Sequence, residues 1–143
     1  MVELILVMVI AGIMAAVAIP RLVGRSNFDA RGFTDELAST VRFAQKLAIS
    51  QRTDVFVLLT ATDATLCYVA TTPCPAASEA PGPGGEKPYT VTAPNGLTIG
   101  ITTSLQFDAS GRTPGLAAPL DIPVNGVGAY HVWVERETGY VHD

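Results

Sequence analysis

The sequence predicts an α+β fold in which one long N-terminal helix packs against an antiparallel β-sheet domain. First, the run from Leu4 to Ile19 has no charged or strongly polar side chain. Second, apolar residues recur at helical spacing between residues 28 and 51. Third, after Arg52 the chain changes to short segments rich in Val, Ile, Thr and aromatic residues, bounded by turn residues. We therefore divide the 143 residues into 1–20, an assembly or transmembrane half of the helix, 21–52, its amphipathic half, and 53–143, a β-rich globular domain.

The apolar segment is unusual for a plain anchor. Its uninterrupted length falls slightly short of the roughly 20 residues that a spanning helix needs. A signal peptide would carry basic residues ahead of the apolar run, whereas this chain carries an acid, Glu3. A carboxylate in hydrocarbon costs several kcal/mol unless it is paired. Glu3 is therefore expected to be paired; the alternative is a solvated side chain at headgroup level.

Small residues line this segment at a spacing that favours helix–helix contact. Gly12 with Ala16, and Ala11 with Ala15, form two small-xxx-small pairs, which allow close helix approach in a membrane. The rest of the chain offers no second span, so the partner would be another copy or another subunit. Pro20 lacks a backbone donor and is expected to kink the helix where it leaves the membrane.

The second half of the helix has an apolar stripe opposite a mostly polar face. The stripe residues are Phe33, Leu37, Val41, Ala44 and Ala48, with Phe43 and Leu47 beside them. Seven short strand-like segments follow, and residues 73–88, rich in Pro, Gly and Ala, are expected to form an irregular exposed loop. Turns are expected at residues 61–64, 108–114 and 138–139.

Charge is distributed unevenly within the net −4. Residues 21–52 carry six bases against three acids, and residues 53–143 carry three bases against nine acids. An acidic domain is a poor partner for nucleic acid, whose phosphates require Lys and Arg. Arg112 and Arg136 are isolated and are interpreted as ordinary surface charge.

The run VELILVMVIAGIMAAVAIP resembles the N-terminal signature of type IV pilins and type II secretion pseudopilins. Glu3 matches the glutamate of that signature, and Pro20 matches its proline near the membrane exit. The segments PRLVGRSNFDARGF, LASTVRFAQKLAISQRTDVFV, FDASGR and VWVERETGYV are similar to the GspH/FimT class of minor pilins. Within that class the chain is most similar to the minor pilin of the mannose-sensitive haemagglutinin (MSHA) pilus.

The resemblance implies a pilin-like fold and a structural role. Leu4 and the small residues Ala11, Gly12, Ala15 and Ala16 would supply the helix-packing surface. Glu3 would meet the N-terminal ammonium of a neighbouring subunit and set the register. Met1 aligns with the third mature residue of the family, so we expect a leader, a Gly-Phe junction and an N-methylated Phe upstream.

The implied partners are other pilin or pseudopilin subunits, the inner membrane with its assembly platform, and prepilin peptidase if the leader exists. The implied location is the inner membrane with a periplasmic domain, then a pilus or pseudopilus. Arg21 and Arg25 on the C-terminal flank would alone favour a cytoplasmic domain, but a basic leader would reverse that balance. The alternatives are a DNA-uptake minor pilin and, from another class, a membrane-anchored enzyme.

The remaining candidates for chemistry are few. Cys67 and Cys74 match no zinc pattern, and a periplasmic location favours a disulfide over two free thiols. His131 is expected on the solvent face of a strand, and Trp133 is expected to pack on the sheet or in the core. No nucleophile elbow or phosphate loop occurs, so the sequence predicts no catalytic residue, metal or cofactor, and no enzyme.

Overall fold

The computed structural model describes residues 2–143, except for the side chains of residues 17–26. One helix is followed by eight short strands in the described residues, so the predicted α+β class is confirmed. The elements are α1 (Val2–Gln51), β1 (Val55–Leu59), β2 (Asp63–Cys67), a 3-10 turn (Ala76–Ser78), β3 (Thr90–Thr92), β4 (Thr98–Ile99), β5 (Thr103–Phe107), β6 (Leu120–Asn125), β7 (Tyr130–Val134) and β8 (Val141–His142).

Helix α1 ends in a backbone turn without glycine. Arg52, the first residue after the helix, has a φ of 51°. The amide of Thr53 donates to the carbonyl of Ala48 at 3.3 Å. This pattern is a Schellman motif, which pairs one of the last helical carbonyls and turns the chain back towards the sheets.

Between residues 30 and 48, α1 buries its predicted apolar stripe against both sheets. Phe33 and Leu37 are at most 2% exposed. Thr34 and Thr40 are also buried, and their hydroxyls donate to the carbonyls of Ala30 and Glu36 within the helix. The hydroxyls are thus satisfied and do not oppose burial of this face.

The first sheet has the strand order β3-β2-β1-β5 and is antiparallel. Val57 pairs with Leu66 on one side and with Leu105 on the other, and all three side chains are buried in the core. Leu58 points to the opposite face, yet it is only 2% exposed. It shares a surface pocket with Pro73 and Cys74, so the loop after β2 covers this part of the outer face.

The second sheet has the order β4-β6-β7-β8 and is also antiparallel. Ile122 pairs with Val132, and Val134 pairs with Val141. These four side chains are buried and belong to the same core as α1 and the first sheet. The alternate residues of β7 lie on the outer face, as strand periodicity requires.

The sequence predicts an antiparallel sheet domain without indicating how its strands divide, and the structure divides them into two sheets. Alternation of apolar and polar residues identifies a strand and its inner face, but it does not identify which strands pair. Strand β2 ends at Cys67, where the chain turns into the loop closed by Cys74.

Candidate assembly surface

The first third of α1 is an exposed apolar surface. Every described residue from 2 to 16 is exposed. The large side chains of Leu4, Ile13 and Met14 are 63%, 62% and 69% exposed. A contiguous apolar surface of this kind normally marks a site of association. The same helix therefore has a covered part, beginning at Ala30, and an uncovered part at residues 2–16.

The predicted small residues lie on this uncovered half. Ala11, Gly12, Ala15 and Ala16 are all exposed. A Cβ placed on Gly12 would meet nothing within 4 Å. Because residues four apart share one face of a helix, Gly12 and Ala16 lie one above the other. The described residues leave room for another helix to approach there closely.

Glu3 lies in the first turn of α1 and is exposed. A carboxylate at that end of a helix interacts favourably with the unpaired amides and the helix dipole. Its predicted role in setting the register between subunits needs a second chain and stays a prediction. The predicted kink at Pro20 lies outside the residues whose side chains are described. Among the described residues, no helix is apolar over a length sufficient to cross a membrane.

The predicted disulfide is present. The sulfur atoms of Cys67 and Cys74 are 2.02 Å apart, and the two Cα atoms are 5.9 Å apart. Backbone bonds fix the loop that the bridge closes: the amide of Tyr68 donates to the carbonyl of Ser78 at 2.8 Å. The residues between β2 and β3 are thus held at the sheet surface although they form only one short helical turn.

The candidates for other chemistry lie apart from this surface. His131 is half-buried on the outer face of β7, with Nδ1 2.8 Å from Asp121 Oδ1. Trp133 lies on the same face and is 37% exposed. Arg112 is exposed in the turn after β5. Within the described part of the chain, no group of three or more His, Cys, Asp and Glu side chains could hold a metal ion.

Two carboxyl groups are stabilised in their charged form by hydrogen bonds. The Ser110 hydroxyl, with the amides of Arg112 and Ser110, lowers the pKa of Asp108 below its ordinary value. The hydroxyls of Thr62 and Thr92 lower the pKa of Asp63. Donors to a carboxylate favour ionisation, and here that effect exceeds the opposing effect of burial. Asp108 thus closes the turn after β5, and Asp63 joins β2 to β3.

Sequence reasoning missed the side chains that attach α1 to the C-terminal end of the chain. Arg42 donates through Nε to the carbonyl of Val141 at 3.1 Å, and its Nη2 lies 3.3 Å from Asp143 Oδ1. Gln45 makes two further bonds to turns of the domain. The only sequence signal was that both positions flank the apolar stripe.

A helix that is exposed and apolar at its N-terminal end and packs beneath antiparallel strands at its C-terminal end defines a pilin-like fold. In particular, the chain is similar to two crystal structures of the type IV minor pilin FimU of Pseudomonas aeruginosa strain PAO1. The first match has a TM-score of 0.59 and 14% identity, and it covers 82% of this chain and 89% of FimU. The second has a TM-score of 0.58 and 15% identity, and it covers 78% and 90%. No protein-family model matches the chain, and no curated protein matches it.

Proposed function

We propose that the chain is a structural minor subunit, a minor pilin or pseudopilin, of a type IV pilus or a type II secretion pseudopilus. The observation that carries this proposal is that residues 2–16 of α1 are exposed and apolar, whereas from Ala30 onward the same helix packs in the domain. The fold shared with a type IV minor pilin supports it. The resemblance of the sequence motifs to the GspH/FimT class, and within it to the MSHA minor pilin, gives the finer assignment.

The apolar half would serve two environments in turn. Residues 1–20 would hold the subunit in the inner membrane, with the domain in the periplasm. The same surface would then pack against other pilin helices in the fibre. Close packing at Gly12 and Ala16 replaces lipid contacts by helix contacts, because burial from water gives no driving force inside a membrane.

Glu3 would supply the selectivity of this packing. The free-energy cost of burying a single carboxylate in an apolar bundle falls when the carboxylate pairs with an opposite charge, here the N-terminal ammonium of a neighbour. A helix shifted by one turn would leave both charges unpaired. The pair would therefore set the register between subunits, and Pro20 would mark the membrane exit of each helix.

The test compares Glu3→Ala with Glu36→Ala in the host strain. Glu36 is an exposed acid on the same helix, so the control removes a carboxylate outside the apolar segment. We expect Glu3→Ala to lower the amount of subunit in sheared filaments by about tenfold or more. Removing one partner of a buried charge pair costs more than about 1.4 kcal/mol, which corresponds to a factor of about ten. The membrane pool and the protease resistance of the domain should not change.

Two results would contradict the proposal. Normal incorporation of the Glu3→Ala variant into filaments would show that Glu3 does not set the register. Absence of the wild-type subunit from any sheared or secretion-associated filament, with a normal membrane pool, would remove the structural-subunit function itself. Immunoblots of filament and membrane fractions measure both quantities.

A further inference from the structure

The outer face of the second sheet carries a cluster of rings and carboxylates that the assembly helix does not use. We define the Trp133 patch as Asp121, His131, Trp133, Glu135 and His142. Strand pairing places Asp121 and His142 directly beside Trp133, on β6 and β8. His131 and Glu135 flank Trp133 along the chain, two residues away in each direction, and so share its face.

The rings of the patch are nearly parallel to their neighbours. The imidazole of His131 stacks on Trp133, with centroids 6.2 Å apart and an interplanar angle of 20°. Tyr140 stacks on His142, with centroids 5.7 Å apart and an angle of 25°. Trp133 is 37% exposed and Tyr140 is 61% exposed. Stacked, partly exposed rings present flat electron-rich faces to an incoming group.

Carboxylates surround these faces. Asp121 lies 2.8 Å from Nδ1 of His131, and Glu135 lies 3.4 Å from Nε2 of His142. The cation nearest along the chain, Arg136, is directed elsewhere: it lies 3.3 Å from Glu137 and donates to the carbonyl of Ala117. At the far edge, Arg31, Asp35 and Asp143 share a pocket with His131 and bring charges of both signs.

We propose that the Trp133 patch docks an arginine or lysine side chain of another polypeptide. A cation over an indole face is attracted by the ring quadrupole, and Trp is the most favourable ring for this contact. Asp121, on the neighbouring strand, and Glu135, two residues along the chain, add opposite charge beside the same ring. Exposed tryptophan is also a residue type that anchors protein interfaces.

The patch differs from the assembly surface in place and in chemistry. It lies on the strands at the end of the chain, whereas the assembly surface lies at residues 2–16 of α1. Its proposed occupant is a cation on an aromatic ring, whereas the assembly surface packs against apolar helices. The proposal therefore does not depend on the subunit function above, and either can fail alone.

Trp133 is the only tryptophan of the chain, so its fluorescence reports directly on the patch. The experiment titrates the full chain, kept in detergent micelles because residues 2–16 are apolar and exposed, with a nine-residue peptide of Gly-Ser-Arg repeats. The matched probe is the same peptide with citrulline in place of arginine, which keeps the shape and removes the charge. We expect a saturable change in Trp133 emission with the arginine peptide only.

Variants separate the patch from the general acidity of the domain. Glu135→Gln should weaken binding of the arginine peptide about two- to fivefold, and Trp133→Leu should weaken it at least as much, measured by anisotropy of a labelled peptide. Glu36→Gln, which removes the same charge from the exposed face of α1, should leave the affinity unchanged. Glu135 is partly exposed, so its variant should fold even if Trp133→Leu does not.

Several results would overturn the proposal. Equal binding of the citrulline peptide would show that the patch does not recognise a cation. Equal weakening of binding by Glu36→Gln would show that only the overall charge of the chain matters. A response of Trp133 to a neutral oligosaccharide but not to the arginine peptide would make the patch a sugar platform. If Trp133 emission changed with protein concentration alone, and if high protein concentration prevented peptide binding, a second copy of this chain would be the occupant.

Discussion

The side-chain amide of Gln45 on α1 donates a hydrogen bond to the backbone carbonyl of Gly111 at 2.9 Å. The same nitrogen donates to the carbonyl of Thr138, also at 2.9 Å. The first acceptor lies in the turn after β5, and the second lies in the turn between β7 and β8. One side chain thus joins the helix to a turn of each sheet.

Replacing Gln45 tests how much this junction contributes to stability. Gln45→Ala leaves two backbone carbonyls without their donor, and we expect the free energy of unfolding to fall by about 1–3 kcal/mol. Lys46→Ala is the matched control, because Lys46 is the exposed next residue on the same helix, and it should change stability by less than about 0.5 kcal/mol. Urea unfolding followed by circular dichroism measures both values, and equal values would contradict the role of Gln45.

The Cys67–Cys74 bridge holds the loop over Leu58 on the outer face of the first sheet. A chain-entropy account of so short a loop gives about 2–3 kcal/mol of stabilisation. We therefore expect a Cys67→Ala, Cys74→Ala double variant to unfold at a lower urea concentration and to be insensitive to dithiothreitol. The wild type should shift to the position of the variant when it is reduced. If the urea transition of the wild type did not move on reduction, the backbone hydrogen bonds of the loop would be sufficient to hold it in place.

Most of the fold could be predicted from the sequence because its helix and strands depend on local residue patterns. The stripe of α1 and the inner faces of β1, β6 and β7 follow from periodicity of 3.6 and 2 residues. The split into two sheets did not follow, because pairing depends on contacts between distant residues. Leu58 illustrates the difficulty: it lies on the outer face, but a loop closed by a disulfide covers it.

The candidate surface was also accessible, since an apolar run with small residues and one acid is a local feature of residues 3–16. The side chains that attach the domain to α1 could not be predicted from the sequence. Gln45 and Arg42 looked like ordinary polar residues beside a helix stripe, and their acceptors lie 66 and 99 residues away. Similarly, the patch around Trp133 depends on strand register, which places Asp121 and His142 beside it.

Asp108 makes the stability of the domain depend on pH. Its pKa is lowered in the folded state, mainly by the Ser110 hydroxyl and also by the amides of Arg112 and Ser110. Its contribution is therefore fully present above the unfolded pKa of about 3.9, and it is lost as pH falls through the lower folded value. We expect Asp108→Asn to flatten the decline of stability below about pH 4, relative to wild type. Asp35→Asn, on the exposed face of α1, is the control and should leave the slope unchanged.

Thr113 is a buried polar residue whose hydroxyl has one described hydrogen-bond partner. It is 1% exposed, and its hydroxyl donates to the carbonyl of Arg136 at 2.9 Å. Thr113→Val keeps the shape and removes the donor, so we expect a loss of about 1–2 kcal/mol in the free energy of unfolding. Thr113→Ser keeps the donor and loses a methyl group, and it should restore the hydrogen bond. A valine variant as stable as wild type would show that the carbonyl finds water instead.

Gly12 and Gly32 allow the role of close helix packing to be tested on one helix. Both glycines are exposed, and a Cβ at either would meet nothing within 4 Å in the single chain. Leucine at either position should therefore be compatible with folding, and it should favour the helix by about 1 kcal/mol. Gly12 alone lies in the apolar segment, where a bulky side chain would separate packed helices. We expect Gly12→Leu to reduce incorporation into filaments several-fold while Gly32→Leu does not, measured by immunoblot of sheared fractions against the membrane pool. Equal incorporation of the two variants would show that the small residues are not the contact, and that the apolar segment packs through its large side chains.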